Sequence, residues 1–270
     1  MDYFLYFVLF CIGTLFGSFF TLAVYRIPLG KDITHERSYC PNCNHKLSFF
    51  DMIPILSYLF LGGKCRYCKQ KIRPRYLLLE ILSGAVFVLF AMSVKLSIFT
   101  AYRSQIVYIA FGFLYFAILF IIAGIDKEKR QIENSVLLFG YVVEVLYIIY
   151  LYIVEKDPNM YRYVIYLALI CILVFLHTVF LRKKAKSSYP VQILLLCMFM
   201  VTYTYEIVFG YTVILTLWAI AIRLIFKKII CHKTRKYQSK MSNTQLPIAF
   251  YLCVSNIICL LITNWCIFYF

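Results

Sequence analysis

The chain has 270 residues, of which 63% are hydrophobic and 15% charged, and its net charge is +16. With a mean hydropathy of +0.81 it falls outside the ordinary soluble class, in which about a quarter of residues are charged. Composition alone indicates a polytopic membrane protein.

A membrane-crossing helix needs about 20 mostly apolar residues. Eight segments qualify: 3–25, 76–94, 105–125, 135–154, 164–181, 190–209, 211–226 and 246–268. The sixth and seventh are expected to join through a tight turn at Gly210, and Arg223 in the short seventh is expected to snorkel to the nearby interface. The first segment lacks a basic start, is long and runs directly into Arg26, so it reads as a retained span. The seven loops hold 10, 2, 3, 2, 4, 0 and 7 Lys and Arg, so the odd-numbered loops carry 24 and the even-numbered loops 4. Positive loops face the cytoplasm. Both termini are therefore expected outside, with the odd loops in the cytosol. The basic residues are a topology signal with some attraction to anionic lipid, and no nucleic-acid partner is expected.

Of eleven cysteines, Cys11, Cys171, Cys197, Cys231, Cys253, Cys259 and Cys266 lie in or beside apolar segments and read as small apolar residues. The other four stand in the first cytosolic loop, in "YCPNCNHKLSFFDMIPILSYLFLGGKCRYCKQKIRPRY". Cys40, Cys43, Cys65 and Cys68 form C-x2-C, a gap of 21 residues and C-x2-C. Each pair offers two thiolates from one tight knuckle, and two knuckles complete a tetrahedral site best suited to zinc. Four thiolates close the coordination shell, so the ion is expected to be structural. The reducing cytosol disfavours disulfides. His35 and His45 are read as loop histidines. The expected fold is an all-α polytopic membrane protein of about eight transmembrane helices with a cytosolic four-Cys loop like a zinc ribbon.

The first 80 residues resemble the type IV prepilin peptidases, the bifunctional leader peptidase/N-methyltransferases. "GSFFTLAVYRIP", "SYCPNC", "IPILSYL", "GKCRYC", "IRPRY" and "LLLEILSG" follow one another at the family's spacing over residues 17–84. A weaker resemblance covers the rest of the chain, including "QLPIAFYLCVSN". The resemblance implies a first transmembrane helix over residues 1–25 and a cytosolic zinc-binding loop over 26–75. With its flanking helices this loop forms an N-terminal domain over about 11–94, followed by a peptidase-like transmembrane core over 104–268. It implies an intramembrane aspartic peptidase of the cell membrane. Such an enzyme removes the basic leader of type IV prepilins or pseudopilins at the cytosolic face and N-methylates the product with S-adenosylmethionine.

In "IIAGIDKEKRQIENSVL" the resemblance assigns Asp126 as the first catalytic aspartate, with Arg130, Ile132, Asn134 and Leu137 following as in the family and Glu133 replacing its proline. On residues alone, Asp126 beside Lys127, Lys129 and Arg130 is an interfacial charge. Aspartic proteolysis needs two carboxylates sharing one proton. The family supplies its second aspartate in a G-x-G-D-x-K motif. Here the matching stretch reads "KKAKSSYPVQILLL", with Pro190 or a neighbour at the position. The five aspartates are Asp2, Asp32, Asp51, Asp126 and Asp157, so none lies downstream. At about 1.5 Å per residue, Glu206 lies roughly 24 Å and Glu144 roughly 14 Å from the cytosolic rim. Glu133 and Glu80 alone have the right depth, and Glu80 matches a family glutamate that coexists with both aspartates. Thr21 stands where the family has Asn, and His177 reads as a neutral packing histidine. Two roles stay open: leader peptidase with an altered acid pair, or a relative without proteolysis that keeps a methyltransferase, substrate-binding or assembly role. A small transporter, which would show midplane polar residues and interrupted repeats, ranks below both.

Overall fold

A computed structural model describes residues 2–35, 37–97, 103–156, 160–176, 189–233 and 246–269. His177, Asp157 and the basic residues 182–186 lie outside them, as does the side chain of Cys231. Among the described residues there are nine α-helices and no strand. They are α1 (Asp2–Arg26), α2 (Leu56–Phe60), α3 (Arg75–Ser93), α4 (Arg103–Lys129), α5 (Asn134–Tyr150), α6 (Met160–Leu176), α7 (Tyr189–Tyr203), α8 (Glu206–Lys233) and α9 (Ile248–Tyr269). Among the described residues six helical segments, rather than the expected eight, are long and apolar enough to cross a membrane: Asp2–Leu29, Arg75–Ser93, Ser104–Lys129, Asn134–Glu155, Glu206–Ile229 and Ile248–Tyr269. Met160–Phe175 and Tyr189–Tyr203 are shorter apolar helices. The chain is an all-α, multi-pass membrane protein.

The expected turn at Gly210 is not there. Gly210 lies inside α8, and a Cβ added to it would meet nothing within 4 Å. The break falls at Thr204 and Tyr205. Thr202 and Thr204 return their hydroxyls to the Met198 and Met200 carbonyls, at 2.8 and 2.6 Å. The Thr204 N–H also bonds the Met200 carbonyl, at 2.9 Å. The threonines thus close the end of α7 on itself, and Glu206 opens α8 with a favourable charge for a helix start.

The chain divides into two compact units, Met1–Ala117 with Asn264–Phe270, and Ile118–Thr263. In the first unit α1 packs along α3. Gly13 and Gly17, one helical turn apart, form a G-x-x-x-G step that lets two backbones approach. A Cβ on Gly13 would lie 2.7 Å from the Gly84 Cα, and one on Gly17 would lie 2.7 Å from the Glu80 Cα and 2.1 Å from Ser83 Oγ. The buried Ser83 hydroxyl donates across the seam to the Gly13 carbonyl at 2.7 Å. Behind it, Phe87 stacks on Phe113 at 4.1 Å, and Phe90 meets Phe116 edge-on at 4.9 Å.

Gly17→Val therefore drives a side chain into backbone. It is expected to cost about 3 kcal/mol, the upper end of ordinary overpacking. Gly210→Ala in α8 should instead stabilise, by about 0.5–1 kcal/mol. Thermal unfolding of both variants in detergent checks the pair, and a Gly17→Val protein as stable as wild type would refute the close seam.

In the second unit the core is Ile118, Leu119, Ile122, Ile125, Leu196, Phe199 and Met200, all essentially buried. Polar groups link its helices. Asn256 on α9 donates to the Thr212 hydroxyl on α8 at 3.2 Å, and Gln192 on α7 to Asn134 at the start of α5 at 2.7 Å. Arg223, expected to reach for the interface, donates to the Tyr251 hydroxyl at 2.9 Å.

Candidate functional site

Two constellations carry chemistry, one in each unit. The first is the loop between α1 and α3. Its two knuckles, "YCPNCNHK" and "KCRYCKQK", fold alike at an offset of 25 residues. Isolated bridges pair Tyr39 with Lys46 and Lys64 with Lys71. The Cys40 N–H bonds the His45 carbonyl and the Cys65 N–H the Gln70 carbonyl, at 3.0 and 2.9 Å. The tight returns put Asn44 and Lys69 in the left-handed region, at φ 56° and 57°.

This repeat brings together the four cysteines the spacing singled out. Their sulfurs all lie within 4.8 Å of one another, and Cys40 and Cys68 Sγ are 3.8 Å apart. Four zinc–sulfur bonds of about 2.3 Å arranged tetrahedrally require sulfurs about 3.8 Å apart, so the donor set fits such an ion. The cluster can hold a metal ion. The Gln70 backbone N–H, and then the Asn42 amide, hold the Cys68 thiol down at about 6, while at Cys43, although the His45 backbone N–H opposes it, desolvation and the Cys40 and Cys68 sulfurs push the thiol up to about 11. Such N–H donors favour thiolate, the form a metal binds. His35 instead bonds Asp32 at 2.8 Å, and His45 packs at a tilt against Tyr67 with ring centroids 3.6 Å apart.

Around the knuckles the loop is braced. Buried Arg26, the last residue of α1, donates to the carbonyls of Asp32 and Arg37 at 2.8 and 3.2 Å. Asp51 accepts from Ser48 Oγ at 2.8 Å and from Arg66 Nε at 2.6 Å. Although desolvation opposes it, these donors hold the Asp51 carboxyl below its ordinary range. Glu80 accepts the Ile55 N–H at 2.8 Å and a hydrogen bond from Ser18. The Thr21 hydroxyl turns back to the Ser18 carbonyl at 2.7 Å.

The second constellation centres on Asp126, which is fully buried near the end of α4. Pro247 precedes α9, and a proline at a helix start leaves the following N–H groups in search of acceptors. The Phe250 N–H donates to Asp126 Oδ2 at 2.8 Å. The Tyr189 hydroxyl donates to Oδ1 at 2.7 Å and accepts from the N–H groups of Ile248 and Ala249 at 3.2 and 3.5 Å. Asp126 and Tyr189 together cap α9, and the carboxylate faces the positive end of that helix. Lys127 Nζ lies over the Phe250 ring at 4.8 Å, adding a cation–π contact. Arg130, at φ 58°, ends α4 by bonding the Asp126 carbonyl through its N–H at 3.0 Å.

The partners of Asp126 are thus a phenol and a helix start. Tyr189 is the immediate neighbour of Pro190, in the stretch where the resemblance calls for a second aspartate. Glu133 takes a hydrogen bond from the Gln131 amide at 2.6 Å. Among the described residues of this unit, Asp126 is the one aspartate. Sequence reasoning missed Tyr189 and the α9 N-terminus. Pro247 was the available signal, since it marks a helix start whose donors need an acceptor.

Residues 11–94 match the family model described as the Bacterial Peptidase A24 N-terminal domain. A prepilin leader peptidase/N-methyltransferase of Klebsiella pneumoniae is 34% identical over 138 residues, 48% of this chain and 56% of that protein. Its namesake in Bacillus subtilis is 34% identical over 132 residues, 49% and 50% of the two chains. That of Vibrio cholerae is 42% identical over 90 residues, 30% of this chain and 35% of the relative. The chain spans about half the length, or less, of these curated relatives. No solved structure matches it.

Proposed function

We propose that this chain, whose N-terminal residues 11–94 match the peptidase A24 N-terminal domain, is a member of the type IV prepilin peptidase family and receives prepilin-like or pseudopilin-like proteins at the cytosolic face of the cell membrane. The N-terminal domain, with its metal-braced loop, is the part most like the named enzymes and is the proposed substrate-receiving module. Zinc is the proposed ion, held by Cys40, Cys43, Cys65 and Cys68 as a structural staple. The cytosolic side of this loop, with both termini outside, rests on the Lys and Arg asymmetry between loops.

The reading supported best is a binding or assembly role without leader cleavage. One observation carries it: both oxygens of Asp126 hold donors of Tyr189 and Phe250, with a phenol where a second carboxylate would share a proton. A carboxylate whose two oxygens are both engaged in a helix cap has fewer lone pairs left to offer a water. A second reading is favoured by the same 2.7 Å contact. If α9 withdraws, Asp126 is a general base and the Tyr189 hydroxyl is a donor that polarises the scissile carbonyl. N-methylation with S-adenosylmethionine is carried only by the names of the relatives, and no residue is assigned to it.

Co-expression with a prepilin from the same genome separates the readings. Wild type is expected to co-purify with the intact prepilin and leave its leader in place. Leader removal that is lost in both Asp126→Asn and Tyr189→Phe would establish the second reading instead. Methylation of a pre-cut pilin by purified protein tests the transferase activity.

A further inference from the structure

The α1–α3 loop exposes more apolar surface than a water-facing segment should. Phe49 and Phe50 are each 71% exposed, Leu56 50%, Leu59 61% and Phe60 85%. They come from two neighbouring short elements, the turn Phe49–Met52 and α2, which pack against each other. Scattered single apolar residues on a surface are ordinary, but contiguous aromatic ones mark a contact.

The backbone fixes the depth of this patch. The Leu56 N–H bonds the Pro54 carbonyl at 2.6 Å, closing a γ-turn centred on Ile55 at φ 62° and ψ −56°. That conformation is rare and strained for a β-branched residue. The Ile55 N–H is fastened to Glu80, the sixth residue of α3. Glu80 lies about 7.5 Å into that helix at 1.5 Å per residue. The start of α2 is therefore held beside the first turns of a membrane-crossing helix, where the headgroup region of a bilayer lies. The loop from Arg26 to Arg75 carries ten Lys and Arg against three acidic residues. Lys64, Lys69, Lys71 and Arg73 are exposed.

We propose that α2 and the Phe49–Phe50 turn form an interfacial anchor that inserts into the headgroup region of an anionic leaflet, with Phe49, Phe50, Leu59 and Phe60 entering the acyl boundary. Aromatic residues prefer that layer, and amphipathic segments with basic neighbours lie in its plane. The depth set by Glu80 and the positive charge choose the lipid surface over a protein partner with a basic leader. The anchor is independent of either peptidase reading.

The test uses full-length protein in lipid nanodiscs. Trp218 and Trp265 are replaced by Phe, and Phe60→Trp supplies the sole reporter. Lipids brominated near the headgroup are expected to quench this tryptophan, more strongly in phosphatidylglycerol than in phosphatidylcholine discs, while iodide in the buffer does not. Phe49→Trp should report the same, with metal content unchanged as the check on folding. Glu80→Ala, which removes the acceptor for Ile55, should lose the bromolipid quenching. Quenching by iodide with none by bromolipid overturns the anchor. So does shielding that arises only with two copies per disc or only after a prepilin is added.

Discussion

Cys65→Ser is expected to reduce the bound metal from about one ion per chain to almost none. The Cys65 thiol is buried, and its backbone closes the second knuckle on Gln70. A structural four-thiolate site contributes about 10–16 kcal/mol of apparent binding free energy at neutral pH, and that energy folds the residues around it. Serine cannot supply a thiolate. Loss of the ion leaves residues 38–72 with two knuckles, a capping box at Ser48 and few buried apolar side chains to hold them. Elemental analysis measures the ion. Limited trypsin digestion measures the loop, which offers many Lys and Arg sites. Unchanged metal content in Cys65→Ser would remove the site from consideration, and strong chelation should reproduce the variant's protease sensitivity in wild type.

The second large effect is at Asp126. Asp126→Ala leaves the Tyr189 hydroxyl and the Phe250 N–H without the acceptor they share. Each buried donor left unmade costs about 1–3 kcal/mol, so the expected loss is about 4 kcal/mol. Tyr189→Phe removes the hydrogen bond to Asp126 and one of the acceptors of the Ile248 and Ala249 N–H groups, which keep Leu246 and Asp126, costing about 1–2 kcal/mol. Asp126→Asn keeps the shape and one acceptor oxygen and should fall between the two. Because the groups share one cap, the losses in the double variant should fall short of their sum. Thermal unfolding of wild type, Asp126→Ala, Tyr189→Phe and their double variant in detergent supplies the cycle, with Asp126→Asn measured beside them. Strict additivity, or an Asp126→Ala protein as stable as wild type, would contradict the capping role.

Much of this was readable in the letters, for identifiable reasons. Hydropathy expected eight spans; among the described residues it located eight apolar helices, of which six are long enough to cross a membrane and Met160–Phe175 and Tyr189–Tyr203 are shorter. The C-x2-C pairs announced their cluster because a knuckle needs only local geometry. Gly210 misled because glycine marks turns in polar surroundings, whereas inside apolar helices it marks a lipid-facing or close-packed position. Gly13 and Gly17 were the informative pair. The partner of Asp126 was hidden for a different reason. Tyr189 is 63 residues away and the Phe250 N–H 124 away. A backbone N–H also has no letter, so a search for acidic side chains could not find it. The γ-turn at Ile55 was equally silent, since Pro54 signals a bend but not the sign of φ in the next residue.

The glycine seam between α1 and α3 has a consequence for the metal. Joining two distant points of a flexible chain costs entropy that rises with the length between them. Here the seam, Gly13 against Gly84 and Gly17 against Glu80, already holds together the two helices from which the loop leaves and to which it returns. The ion therefore closes a short-circuited ring instead of an open chain, and its affinity depends on a contact between two membrane helices. Gly17→Val, far from any cysteine, should consequently weaken metal retention as well as helix packing.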